Sequence, residues 1–473
     1  MRPDSMTPET NLPSRGQMHN RTRLGGLLGG ALAIFFLAGT SGCEVTNPGP
    51  VQDEFLADQA SHAPLVNGSA RRLAQSIKNL AYDGALISRE IFPSGQIGAH
   101  GHNVVTQGGF VEDDSNEFNG RWNFTQQARF IAEDALRRFI DDGVLPASEH
   151  NSSPLIARAN VLAGYASRVL GEHWCHAVMD GGPVEPGSAY FERAEARFTS
   201  GIEVAQNAGN NTLRLAAIAG RAQVRMWLGN WSGAASDAAQ VPDDFVFASE
   251  MDGDPAGARN RIWFATADLP YRTFSLYQTW HREYYLETGD PRVPSTVDPT
   301  KEFSTGSLSG FGQVPFIIQQ KYPAGDVDIR LASGWEMRLV EAEALLNQGQ
   351  WQQAMDLINA VRTRNVSDST DEALQPWTAG SLEEAWRYLK RERRIELWME
   401  GRAWGDMRRW EDTGTPGAID WPDYESVSPL FSSNPRSRCL SIPTAERNAN
   451  TNVPSDIDTS PLWAAPGSLP GQG

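Results

Sequence analysis

The sequence predicts a mostly α-helical protein, a tetratricopeptide-like scaffold of helical hairpins with one loop-rich, aromatic-rich insert. Three observations predict it. Apolar and small residues recur every three to four places along most of the chain. A turn of the form Gly-x-Trp-x-x-Ala occurs at Gly229, Trp231 and Ala234 and again at Gly349, Trp351 and Ala354. Between Asp243 and Leu331 this periodicity gives way to Pro and Gly punctuation and a high density of rings.

At 473 residues the chain has ample length to bury a large core without metal or disulfide staples. Hydrophobic residues make up 40% and charged residues 21%, which excludes a multi-span transporter. The formal charge is −17, and it becomes −19 once residues 1–42 are removed, so the body repels phosphate backbones and general nucleic-acid binding is excluded.

Residues 1–42 are expected to be a secretory signal. Arg21 and Arg23 precede nineteen uncharged residues, 24–42, which end in Thr40, Ser41 and Gly42 before Cys43. That order is a positive region, an apolar region and a small-residue cleavage zone, with translation starting at Met1 or Met18. Cleavage before Cys43 resembles a bacterial lipoprotein signal, with Cys43 as the acylated residue and residues 43–53 as a tether rich in turn formers. Only Cys175 and Cys439 then remain, and they either close a disulfide or stay as buried thiols. His173 and His176 flank Cys175 but lack the spacing of a zinc site, and no metal or other cofactor is expected.

The N-terminal part, residues 54–242, is expected to hold repeat helices over Pro154–Trp174 and Ser188–Ala208. A further hairpin turns at Gly229 and Trp231. Alanines at a helix crossing allow close approach, while the tryptophan fills the wedge beside the turn. The two copies of this turn lie 120 residues apart, which is no multiple of the usual ~34-residue repeat, so the array must be interrupted.

The interruption, residues 243–331, is the candidate ligand region. It contains 14 of the chain's 44 aromatic residues within 89 positions, an enrichment that marks it as a surface for flat ligands or as a small core of its own. The candidate binding rings are Trp263, Tyr271, Tyr277, Trp280, Tyr284 and Tyr285. Sugars pack C–H faces on such rings while their hydroxyls stay partly wet. Tyr277, Trp280 and Tyr284 also have helical spacing, which suits a buried stripe equally well.

The C-terminal part, residues 332–473, opens with the second hairpin. In it, Trp386, Leu389, Leu397, Trp404 and Met407 approximate one helical stripe. Glu383 with Arg387 and Arg402 with Asp406 are i,i+4 pairs, and the interleaved acids point to an internal ion network rather than a nucleic-acid surface. The run Glu392–Trp410 resembles the signature of the SusD/RagB outer-membrane nutrient-binding lipoproteins. Glu336–Arg364 resembles their preceding repeat helices, and Arg438–Val453 is similar to their closing segment, a proline-centred strand followed by a polar stretch. The resemblance implies an outer-membrane, surface-exposed, lipid-anchored protein that delivers oligosaccharides, or in some members peptides, to a SusC-like TonB-dependent transporter. It implies no catalysis, and a structural role for Glu392, Arg393, Glu396, Glu400, Asp406 and Arg409.

No nucleophile elbow, P-loop, dinucleotide fingerprint or HExxH is present. The acids Glu112, Asp113 and Asp114 and the pair His100 and His102 are thin grounds for catalysis or metal binding. The rival expectation is a helical-repeat envelope scaffold that binds no nutrient.

Overall fold

The computed structural model of the chain describes residues 53–93, 109–111, 116–254, 257–267, 272–306, 312–418, 436–455 and 457. Cys43, the signal, the tether up to residue 52, Tyr271, His100, His102 and the acids at 112–114 lie outside the described residues.

Six helices form the first run: α1 (Gln59–Ile87), α2 (Asn116–Ile140), α3 (Pro154–His173), α4 (Ser188–Asn207), α5 (Asn211–Trp227) and α6 (Trp231–Ala238). Each packs on the next. Local signals fix their ends: Pro154 occupies the first turn of α3, where its missing N–H costs nothing. The side chains of Asn210 and Asn230 accept from the Leu213 and Gly233 N–H groups at 3.0 Å, capping α5 and α6. Between them Gly229 takes φ 72°, the left-handed turn that ends α5. Close approach of α3 and α4 depends on Gly164, whose replacement Cβ would stand 2.6 Å from the Phe198 ring.

The array then continues through α9 (Gly334–Asn347), α10 (Trp351–Thr363) and α11 (Leu382–Glu396), with α9 packed directly on α6. The 120-residue offset is therefore a loop-out: the solenoid resumes where it stopped. Both turn alanines, Ala234 and Ala354, are fully buried, and Trp231 and Trp351 pack half-buried against the core.

Residues between α6 and α9 leave and return through one antiparallel pair, β4 (Val246–Ser249) and β8 (Ile329–Ser333), in register Val246 to Ser333 with an irregularity between Phe247 and Ala248. Inside that stem lie α7 (Arg261–Thr266), β5 (Phe274–Ser275), α8 (Trp280–Thr288), β6 (Ser295–Thr296) and β7 (Ile318–Gln319). β5 pairs with β1 (Phe92–Pro93) and β6 with β7, while β2 (His176–Ala177) pairs with β3 (Glu185–Pro186) outside the insert. Among the described residues no helix is long and apolar enough to cross a membrane.

The expected single stripe beyond Trp386 is two helices. α11 stops at Glu396, and α12 (Ala403–Asp412) starts after a turn in which Met399 has φ 57° and Gly401 φ 74°. Gly401 needs that conformation and its bare Cα, because a Cβ there would stand 3.1 Å from the Ala81 backbone of α1. Trp386, Leu389, Leu397, Trp404 and Met407 are nonetheless all buried. The expected closing strand is a single bridge, Leu440 beside Trp174, followed by the short helix α13 (Thr444–Ala449). Beside that bridge Cys175 and Cys439 are joined, with their Cα atoms 5.7 Å apart, tying the chain end to the end of α3.

Candidate functional site

The signature residues face inward and hold the insert in place. Glu396 receives Arg292 at 3.1 Å, Arg330 at 3.0 Å and Arg364 at 3.0 Å. Glu400 receives Arg330, and Lys321 at 2.7 Å, while Glu392 pairs with Arg292. Three of these four cations, Arg292, Lys321 and Arg330, belong to the insert. Burial alone would raise the Glu396 carboxyl, but Arg330, Arg292 and Arg364 outweigh it and bring the pKa down to about 2.

A second layer ties the signature to the repeat helices. Arg409 meets Glu343 at 2.6 Å, and Trp410 Nε1 donates to the same carboxylate at 2.9 Å. Arg393 meets Asp406 at 2.8 Å. Arg402, expected to pair with Asp406 along its own helix, instead reaches Glu336 at 2.9 Å and Glu172 at 3.2 Å. The helix break at Met399 and Gly401 leaves Arg402 ahead of α12 rather than inside a continuous helix, which alters the i,i+4 geometry.

On this clamped frame sits a face of rings and guanidinium groups. Thr279 caps α8, its Oγ1 accepting from Arg282 N–H at 3.3 Å, and Gly289 ends it with φ 64°. Ser367 Oγ donates to Thr288 O at 2.7 Å and Asp368 N–H donates to Gly289 O at 2.8 Å, docking the end of α8 on the loop after α10. Trp280 stacks on Tyr284 with centroids 5.0 Å apart and planes 10° from parallel. Beside them Trp377 stacks on Tyr388 at 4.9 Å and 21°. The Trp377 backbone is fixed at both ends by Asn359, whose Nδ2 donates to its carbonyl at 2.9 Å and whose Oδ1 accepts from its N–H at 2.8 Å.

Arg391 links the two stacks, its Cζ lying 5.7 Å from the Trp280 centroid, 5.6 Å from Trp377 and 5.9 Å from Tyr388. Arg362 lies 4.2 Å over Trp377 and also donates to the Tyr284 hydroxyl. Trp280, Tyr285, Trp377, Tyr388 and Arg391 are half-buried, so the face keeps contact with solvent. Its chemistry is that of apolar ring area bordered by fixed hydrogen-bond donors, which suits a ligand with C–H faces and hydroxyls.

The described candidate rings separate. Trp280 and Tyr284 join the face, but Tyr284 is only 6% exposed, donates to Asp290 Oδ2 at 3.0 Å and serves as its floor. Burial pushes the Tyr284 phenol above its ordinary range. Tyr285 lies at the margin, its hydroxyl bonded to Asp368 at 3.2 Å. Tyr277 precedes α8 and packs edge-on against Phe92 at 5.7 Å, so the expected three-ring helical stripe does not form. Trp263, on α7, packs elsewhere against Arg259 and the Gly325 backbone. Trp377 and Tyr388 were missed because they lie outside the insert. Trp377 follows Pro376 in a loop, and Tyr388 sits one position from the buried Leu389 on α11. Among the described residues no group of three or more His, Cys, Asp or Glu side chains is arranged to hold a metal.

Residues 317–457 match the SusD family model. The fold is similar to a SusD superfamily protein from Bacteroides vulgatus ATCC 8482, with a TM-score of 0.61 at 15% identity, covering 84% of this chain and 98% of that one. A SusD superfamily protein from Bacteroides thetaiotaomicron VPI-5482 gives the same TM-score of 0.61 and the same coverage at 14% identity. A SusD-like carbohydrate binding protein from Bacteroides fragilis NCTC 9343 aligns with a TM-score of 0.58 at 13% identity, covering 85% of this chain and 100% of that one. No curated protein matches the sequence.

Proposed function

From the match of residues 317–457 to the SusD family model and the similarity of the fold to SusD superfamily structures, we propose that this chain is a member of the SusD/RagB family and a surface lipoprotein of the outer membrane. In this reading it binds oligosaccharides on the ring face and passes them to a SusC-like TonB-dependent transporter. The observation that carries the binding step is the pair of stacks, Trp280 on Tyr284 and Trp377 on Tyr388, bridged by Arg391. Half-buried rings held on a clamped frame offer a sugar a prepared platform, and little conformational entropy is lost when it docks.

The reading needs no catalytic step: capture and hand-over are both binding events. Acylation of Cys43 supplies the anchor, supported by the order of residues 21–43. Mild-detergent purification from native membranes tests the partnership. A TonB-dependent receptor is expected in near-stoichiometric amount, and repeated recovery of the lipoprotein alone would favour an envelope scaffold. Cys43→Ser is expected to release the protein from the membrane, and unchanged retention would contradict the anchor.

A further inference from the structure

A second concave feature lies between the helical scaffold and the stem of the insert, built from residues the ring face does not use. It is a groove of about 720 Å³, within the ~300 to 1,000 Å³ typical of ligand sites. Helices α1, α3 and α5 supply Leu73, Leu162 and Leu213, while the stem and the chain just beyond it supply Phe247, Met251 and Leu331. An apolar lining thus converges from both walls.

Contacts between the walls close one end. Arg71 on α1 meets Asp252 at 3.1 Å, and beyond them Lys78 Nζ donates to Gly257 O at 2.5 Å and Arg261 to Asn79 at 3.1 Å. One turn back along α1, away from those contacts, Asn67 stands beside Arg158 of α3, whose Nη1 donates to Asn67 Oδ1 at 2.6 Å.

The two cations of the lining differ in their partners. Arg71 is matched by Asp252, whose Oδ1 also accepts from the Asp254 and Ala258 N–H groups at 3.0 and 2.8 Å. Arg158 is half-buried, donates to a neutral amide oxygen and pairs with no carboxylate among the described residues. Glu250, the other acid of the lining, is exposed between the buried Ser249 and Met251.

These features select the occupant. A slot with leucines along it, closed at one end and bearing an uncompensated guanidinium at its mouth, suits an amphiphile whose chain lies inside and whose anionic head meets Arg158. A sugar would find one ring among the described lining residues, Phe247, and that ring is stacked on Tyr165 at 5.3 Å and 26°. An added strand would find the main chain already bonded: β4 pairs with β8, and Met251 N–H donates to Asp328 Oδ1 at 2.8 Å.

We propose that this groove binds a free, single-chain aliphatic carboxylate, with its tail along the leucines and its carboxylate on Arg158 and the Asn67 amide. The inference stands on the groove alone and does not rest on the carbohydrate reading.

The test is calorimetric titration of the full chain with octanoate and decanoate, each as monomer, in about 0.15 M salt, which screens long-range repulsion by the net charge of −17. Decanoate should bind one to one and about tenfold more tightly than octanoate, because two further methylenes leave water. Decanol and decyltrimethylammonium, which keep the chain and change the head, should bind about tenfold or more weakly than decanoate. Arg158→Gln should reduce decanoate affinity by about the same factor and leave decanol unchanged, a difference that a merely structural role for Arg158 would not produce. Ala70→Trp, which fills the slot from the helix side, should weaken all the probes. If that variant fails to fold, the probe series on the unaltered protein and Arg158→Gln still decide. Absence of saturable binding, equal affinity for octanoate and decanoate, equal affinity for the three ten-carbon probes, or full decanoate binding by folded Arg158→Gln or Ala70→Trp proteins would each overturn the proposal.

Discussion

Glu396 on α11 and Arg330 on β8 meet at 3.0 Å, and through that contact the C-terminal signature grips the strand that closes the insert. Arg292 and Arg364 converge on the same carboxylate. The signature thus works as a clamp on the loops that carry the rings, and its acids are partners for cations supplied by other segments.

Glu396→Gln tests the clamp. It keeps the volume and removes the charge that three guanidinium groups share, leaving buried cations short of a partner. A loss of about 3 kcal/mol in unfolding free energy is expected from urea denaturation at pH 7. A change below about 1 kcal/mol would mean that water replaces the carboxylate.

The same residue sets an acid limit. With a folded pKa of about 2, below that of the unfolded chain, its contribution is fully present above about pH 4.5 and lost as pH falls toward 2. Denaturation curves should show stability falling across that window, with a shallower fall in Glu396→Gln.

Glu90 acts in the opposite direction. Burial pushes its carboxyl up to about 7, against the Met399 N–H donating to it at 3.1 Å and the charge of Arg394. A raised carboxyl contributes stability below about pH 4.5, and that contribution is lost as pH rises through 7. Glu90→Gln should therefore match the unaltered protein near pH 4 and exceed it at pH 8 by of order 2 kcal/mol. Equal stability of the two proteins at pH 8 would mean that Glu90 ionises freely inside the fold.

The bond between Cys175 and Cys439 closes a long loop between the end of α3 and the final segment. Replacing both with Ala should lower stability by ~2 to 4 kcal/mol, read as a drop in melting temperature that reductant no longer deepens. Two free thiols in the non-reduced, denatured protein would contradict the pairing.

The helical scaffold was legible because its signals are local. Pro154 opens a helix, Gly229 ends one, and the spacing of Trp231 and Ala234 recurs at Trp351 and Ala354. Loop-out of the insert followed from the 120-residue offset between those turns. The helix break after Glu396 was not legible, since the turn packs Gly401 on the Ala81 backbone, a contact more than 300 positions away in sequence. The ring face was half legible: Trp280 and Tyr284 were among the candidates, but Trp377 and Tyr388 join them only through the packing of α10 and α11 beside α8. Arg391, not among the candidates, lies between the two stacks for the same reason.

Ring substitution tests the account's central claim most directly. The ligand is the strongest binder from a glycan array, titrated calorimetrically into Trp280→Ala, Trp377→Ala, Tyr388→Ala and, as the floor residue, Tyr284→Ala. By analogy with stacking of bases on aromatic side chains, loss of each half-buried ring should reduce affinity by roughly 1 to 3 kcal/mol with little change in melting temperature. Tyr284→Ala should instead cost ~3 to 5 kcal/mol of stability. Unaltered glycan affinity in folded Trp280→Ala, Trp377→Ala and Tyr388→Ala proteins would contradict the assignment of this face as the sugar platform.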